Sequence, residues 1–154
     1  MEKEETMPAV TPTRLHHIAL TVTNLDISIP WYEKVFGLTY KMEEAHRGGT
    51  GKLLADEAWQ LVIVLHRHDG NQGESFQETR TGLDHLGLVV PSRADLGAWQ
   101  AHLKEMGVAP TAAADRPLTQ SPIVDRPYGS VLVFRDPDNI QLEMFAPPAE
   151  QHDA

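Results

Sequence analysis

The chain has 154 residues, 41% of them hydrophobic, with 22 acidic against 13 basic side chains, a formal net charge of −9 and no cysteine. With no basic run, nucleic acid and anionic membrane surfaces are excluded as natural partners, and disulfides, zinc–thiolate sites and thiol nucleophiles are excluded with the cysteines. A chain of this length buries one sizeable core and fits a single compact domain.

Residues 1–13 (MEKEETMPAVTPT) are acidic, proline-bearing and without an apolar core. They read as a flexible tail, neither signal peptide nor membrane anchor, and the protein reads as cytoplasmic. Residues 15–22 (LHHIALTV) predict a strand. Its period of two sets His17, Ala19 and Thr21 against the greasier face of His16, Ile18, Leu20 and Val22. The small residues beside His17 leave open space in front of the imidazole. Asn24, Asp26 and Ser28 are N-cap candidates for a helix starting near 26–28, with Pro30 in its first turn. That helix is predicted to bury Ile27, Trp31, Val35 and Leu38 and to stop at Gly37. Strands follow over 38–43, 51–55 and 59–66, with a glycine-rich turn at 46–51. Segment 67–82 is polar and long enough to link two halves and to cover a site.

Residues 83–90 (LDHLGLVV) then repeat the first strand, and His85 takes the place of His17. Trp31 and Trp99 keep the same offset, each in a helix-like run that ends at a glycine, Gly37 or Gly107. A unit of strand, helix and further strands is therefore used twice. In the second copy, Ser92 followed by Asp95 opens the helix in a variant of the capping box, and Leu96, Trp99, Leu103 and Met106 form its apolar stripe. Residues 108–125 are loop-like. Residues 129–134 and 140–145 form a hairpin around the RDPDN turn at 135–139. Glu143 is an acid amid this apolar hairpin, on one face with Gln141 and Phe145.

His17, His85 and Glu143 form a candidate metal set. Two imidazoles and a carboxylate suit divalent first-row ions and leave positions open for substrate or water. Matching strands of a repeated unit can face each other across a pseudo-two-fold axis, which brings the histidines together without sequence proximity.

The segments HHIALTVTNLDISIPWYEKVFGL, DHLGLVVPSRADLGAWQAHLKEMGV and YGSVLVFRDPDNIQLEMF resemble the vicinal oxygen chelate superfamily. That group includes glyoxalase I, bleomycin-resistance proteins, fosfomycin-resistance enzymes, methylmalonyl-CoA epimerases and extradiol dioxygenases. The likeness covers residues 15–147. It implies an α+β fold of two βαβββ modules, about 14–67 and 83–147, joined by a linker at 68–82 and followed by a tail at 148–154. The modules would form a cup-shaped, partly open barrel around one divalent metal ion, with iron, zinc, manganese and nickel all compatible. The resemblance also implies a homodimer in which His17 of one copy meets His85 and Glu143 of the other, and a small-molecule substrate with adjacent oxygens.

His17, His85 and Glu143 fall on the superfamily's ligand positions. Glyoxalase I and the epimerases carry a fourth ligand where Val64 stands, and the dioxygenases a tyrosine where Val133 stands. Fosfomycin transferases place a threonine where Ala19 stands. His66, two residues past Val64 on the same face, is a candidate base or replacement ligand, and Glu143 a candidate proton shuttle. Arg126 and Tyr128 are candidate substrate contacts, and Gln141 a candidate hydrogen-bond partner of Glu143. His16 reads as facing the helix side, while His46, His68 and His102 carry no role. The function implied is a glyoxalase-like lyase or isomerase. Its alternatives are a non-haem iron dioxygenase-like enzyme and a protein that sequesters a small molecule.

Overall fold

The computed structural model describes residues 10–149. The tails expected at 1–13 and 148–154 lie outside these residues, apart from 10–13 and 148–149. Strand β1 (Ile18–Thr21) is followed by helix α1 (Leu25–Phe36) and strands β2 (Thr39–His46), β3 (Gly49–Ala55) and β4 (Val62–His68). These make a four-stranded sheet in the order β1-β4-β3-β2, with β1 and β4 parallel. The second half runs through β5 (Leu86–Val89), α2 (Arg93–Glu105), β6 (Ala109–Pro110), β7 (Thr119–Gln120), β8 (Val124–Arg126), β9 (Gly129–Arg135) and β10 (Gln141–Ala146). Its sheet runs β5-β10-β9-β7-β6, with β8 paired to β9 and β5 parallel to β10. This is a glyoxalase-like α+β fold of two βαβββ-type modules, and its open sheets fit a cup. The region 108–125, predicted as loop, contains strands of only two or three residues, too short to leave a periodic trace in sequence.

Both strands that lead toward the candidate histidines are shorter than predicted. β4 begins only at Val62, after a turn closed by Leu61 N–H donating to Asp56 Oδ1 at 2.9 Å. In the register of β1 on β4, His17 stands opposite Val62, the first residue of β4, and Leu15 and His16 lie beyond the end of that strand. His17 and His85 each stand immediately ahead of their strand.

α1 starts at Leu25, earlier than predicted, because the Asn24 side chain accepts from Asp26 N–H at 2.9 Å, and Gly37 ends it at φ 66°. Its buried residues are Ser28, Tyr32 and Val35, while Ile27 is 55% exposed. The predicted stripe through Ile27 and Trp31 is thus rotated by one residue. The cause lies outside the helix: Tyr32 is drawn in to donate its hydroxyl to the buried carboxylate of Asp136 at 2.8 Å. In α2, Leu96 and Leu103 are buried as predicted. The Ser92 hydroxyl donates to the Asp95 carboxylate at 2.6 Å and makes no bond to the helix backbone, so the expected box is not formed.

The inner faces of both sheets and the two helices share one core, including Leu20, Val22, Ile63 and Leu65 from the first half and Leu132, Phe134, Leu142 and Met144 from the second. His102 joins the helices by donating from Nε2 to the Val35 carbonyl at 2.9 Å. The RDPDN turn ties the rest together. Asp138 accepts from Thr23 N–H and hydroxyl at 3.0 and 2.5 Å, and Arg135 forms a two-pronged pair with Glu78 of the linker at 2.9 Å each. The linker roofs a cavity of about 190 Å³ walled by Thr21, Thr23, Phe76, Arg80 and Asp138. Among the described residues no helix is long and apolar enough to cross a membrane.

Candidate metal centre

The second module brings two of the three candidate ligands together. β10 alternates, so Leu142 and Met144 enter the core and Glu143 points the other way. Its neighbour in β5 is Gly87, where an added Cβ would meet nothing within 4 Å, so the space beside the carboxylate is open. His85 Nε2 lies 3.4 Å from Glu143 Oε2. On the far side of the ring, His85 Nδ1 is 2.6 Å from Asp84 Oδ1. A carboxylate only accepts, so Nδ1 donates to Asp84, and Nε2, the nitrogen turned toward Glu143, is the one placed to bind an ion. A carboxylate on the distal nitrogen is the usual means of fixing the orientation and basicity of a metal-binding imidazole. The donor set fits a divalent first-row ion, for which an imidazole nitrogen and a carboxylate oxygen at about 2.1 Å each lie roughly 3.0–3.4 Å apart.

His17 shows a related local arrangement. Its Nδ1 contacts His16 Nδ1 at 2.8 Å, with the two rings edge to face. The residue preceding each candidate histidine thus engages its Nδ1, His16 in one module and Asp84 in the other. His16 is exposed and turned to its neighbour, not to the helix side as its alternation predicted, because it precedes the paired part of β1. Within one chain His17 does not join His85 and Glu143. Among the described residues no three His, Asp or Glu side chains are close enough to enclose an ion as they stand.

His66 meets different partners from those expected. Register places Thr21, His66, Gly51 and Glu44 in one row across the first sheet and His68, Gly49 and His46 in the next. His66 Nδ1 lies 3.1 Å from His46 Nε2. Ring centroids are 5.2 Å apart for His46 and His66, 5.3 Å for His46 and His68, and 5.8 Å for His66 and His68. Burial holds the pKa of His66 below the ordinary imidazole value, and the neighbouring His46 and His68 push it the same way. His46 and His68 were missed in sequence because neither is near a ligand motif. The signal was the pair Gly49 and Gly51 midway between histidine-bearing strands.

Residues 14–144 match the model of the Glyoxalase/Bleomycin resistance protein/Dioxygenase superfamily. The chain belongs to this superfamily. It is 32% identical to a glyoxylase/bleomycin resistance protein/dioxygenase domain from Frankia sp. EAN1pec, whose crystal structure superposes with a TM-score of 0.77 over 92% of this chain and 97% of that one. It is 33% identical over 92 residues to a trivalent organoarsenical cleaving enzyme of Thermomonospora curvata, a match covering 60% of this chain and 54% of the relative, so the chain aligns with about half of that enzyme's length. A fosfomycin resistance protein, FosX, of Listeria monocytogenes, solved with Mn(II) and sulfate, has the same fold at 19% identity and a TM-score of 0.60, over 92% of this chain and 98% of that one.

On the first sheet, Val64 is 7% exposed and stands between Ala19 and Leu53 on the face that carries His66. It gives that wall an apolar floor. Val133 is the direct cross-strand neighbour of Glu143. Tyr128, 65% exposed, stacks on Phe145 with ring centroids 6.4 Å apart, and Phe145 lies on the Glu143 face of β10. Gly129 makes that stacking feasible, because a Cβ there would strike the Phe145 ring at 2.5 Å. Arg126 is exposed at the end of β8. Gln141 Nε2 lies 3.4 Å from Asp84 Oδ1, so it supports the group that orients His85 where a bond to Glu143 was expected.

Proposed function

We propose that the protein is a metal-dependent enzyme acting on a small substrate that chelates the ion through adjacent oxygens, as a glyoxalase-like lyase or isomerase. The observation that carries this proposal is the His85–Glu143 pair at 3.4 Å with Asp84 held against the far nitrogen of the imidazole. A divalent ion held there supplies Lewis acidity toward an enolate or alkoxide developing on the bound substrate. Glu143 is the proton-transferring group. Its side chain is only 19% exposed, which keeps the carboxylate on the wall of the cup and out of bulk solvent. Tyr128 and Arg126 flank the same wall as substrate contacts. His66 is not given the proton in this scheme, because its Nδ1 is engaged by His46.

A homodimer completes the ligand set by bringing His17 of one copy to His85 and Glu143 of a second. The exposed apolar side chains support such a partner: Leu15 is 73% exposed, Val89 74%, Met42 51% and Tyr40 42%. The dioxygenase-like alternative is less well supported, since Val133 offers no hydroxyl beside Glu143.

The test is elemental analysis of untagged protein beside Glu143→Ala prepared identically. The proposal expects metal content to fall by about one equivalent per site in the variant, with loss of lyase or isomerase activity toward oxygen-chelating substrates. Metal content unchanged by the substitution removes Glu143 from the ligand set. A wild-type chain that takes up no metal on reconstitution leaves the cup as a sequestering pocket.

A further inference from the structure

We propose that His46, His66 and His68 form a second transition-metal site, on the first sheet and built entirely within one chain, for an ion of the zinc, nickel or copper class. It is separate from the His17, His85 and Glu143 set and does not depend on that set being occupied.

The backbone explains how the cluster arises. β2 and β4 lie on either side of β3, about 10 Å apart. Side chains on such strands ordinarily stand beside those of the strand between them. Here the intervening positions are Gly49 and Gly51, and the rings lie over them: a Cβ at Gly51 would come within 2.7 Å of His66 Cε1, and one at Gly49 within 2.8 Å of His46 Cε1. The two glycines make a cradle that any other residue would fill. The result is a cavity of about 410 Å³ lined by Ala19, Thr21, Glu44, His46, His66 and His68.

The separation of His46 and His66 is close to that imposed by a shared ion, and His68 completes the set once its ring turns toward them. Two imidazole nitrogens bound tetrahedrally at 2.0–2.1 Å stand about 3.4 Å apart, and the ring centroids then lie about 5.2 Å apart. His46 Nε2 and His66 Nδ1 are 3.1 Å apart, and the three centroid separations are 5.2, 5.3 and 5.8 Å. His68 is the exposed member, so its ring is free to turn, and the proposed site requires a turn that carries one of its nitrogens to the common point. Glu44, across Gly51 from His66, places a carboxylate on the same wall. Three imidazoles favour zinc, nickel or copper over magnesium or calcium, which prefer oxygen donors.

The test uses untagged full-length protein carrying His85→Ala and Glu143→Ala, so that the other candidate set is removed, titrated with Zn²⁺ by equilibrium dialysis. One tightly held equivalent per chain is expected. Adding His46→Gln and His68→Gln, both on the sheet surface, should abolish that equivalent while the far-ultraviolet circular dichroism stays unchanged. A Co²⁺-loaded sample should show the visible bands of a four-coordinate ion, lost in the same variant. No tight equivalent in the His85/Glu143 background, or binding that survives the loss of His46 and His68, overturns the site. Neither outcome bears on Glu143, whose test compares the wild type with Glu143→Ala alone.

Discussion

Tyr32 and Asp136, 104 positions apart, meet at 2.8 Å in the buried seam between the two modules. Both are essentially without solvent contact. Asp136 also accepts from the backbone N–H of Asp138 and Ile140 at 2.8 Å each, so its carboxyl organises the RDPDN turn while it holds α1 of the other module. Thr23 and Glu78 reach the same turn from the connection between β1 and α1 and from the linker. A five-residue turn thereby fixes how the first module, the linker and the Glu143 strand are placed.

Removing the Tyr32 hydroxyl takes one donor from a buried carboxyl. Tyr32→Phe keeps the ring and its stacking on Phe36, so the loss is confined to that bond. The expected cost is about 1–3 kcal/mol, read as a lower midpoint of urea unfolding with an unchanged slope.

Asp136 also predicts a pH dependence. Burial raises its pKa from 3.8 to about 7, with the nearby Asp138 adding to the rise and the bonds from Ile140, Tyr32 and Asp138 opposing it. Because the folded state holds the proton more tightly than the unfolded chain, this group weakens stability as pH rises from about 4 to about 7. Asp136→Asn removes the ionisation. Wild-type stability should therefore decline relative to the variant across that window, and a constant difference between the two curves would contradict the assignment.

Glu78 acts in the opposite sense and in a lower window. Its hydrogen bonds to Arg135 are the main reason its pKa falls from 4.5 to about 2. The contribution is complete above about 4.5 and is lost as pH falls toward 2. Arg135 is 5% exposed and Glu78 34%, so Glu78→Gln leaves a buried guanidinium without its counter-charge. The cost at neutral pH should be about 2 kcal/mol, below the ~3–5 typical of a fully buried pair because Glu78 is partly solvated. In acid unfolding, the variant should approach the wild type as pH drops below 4.

Much of this architecture is legible in the sequence because it is written twice. Duplicated strands around His17 and His85, glycine stops at Gly37 and Gly107, and the hairpin that carries Glu143 all have local signals. The orientation of α1 does not, since Trp31 and Tyr32 are adjacent aromatics and the partner that selects Tyr32 is remote in sequence. The His46, His66 and His68 cluster depends on the pairing register of three strands, which hydrophobic alternation alone leaves open. Asp84 was within reach: it precedes His85 as His16 precedes His17, and an acid beside a candidate ligand is a ready orienting group.

That carboxylate gives a test of the proposed centre that leaves the proposed ligands in place. Asp84 accepts from His85 Nδ1 at 2.6 Å, and its side chain is 66% exposed, so little packing depends on it. Asp84→Ala should leave thermal stability within about 0.5 kcal/mol, as for other surface substitutions. Its effect should fall on the imidazole, which loses the group that fixes its tautomer and raises its basicity. Metal affinity at the His85–Glu143 pair should weaken about 10–100-fold, measured by competition with a chromophoric chelator. Gln141 Nε2, 3.4 Å from Asp84 Oδ1, should contribute a smaller share, so Gln141→Ala is expected to weaken affinity in the same direction but by less. Equal metal affinity in wild type and Asp84→Ala would mean that His85 does not bind the ion through Nε2.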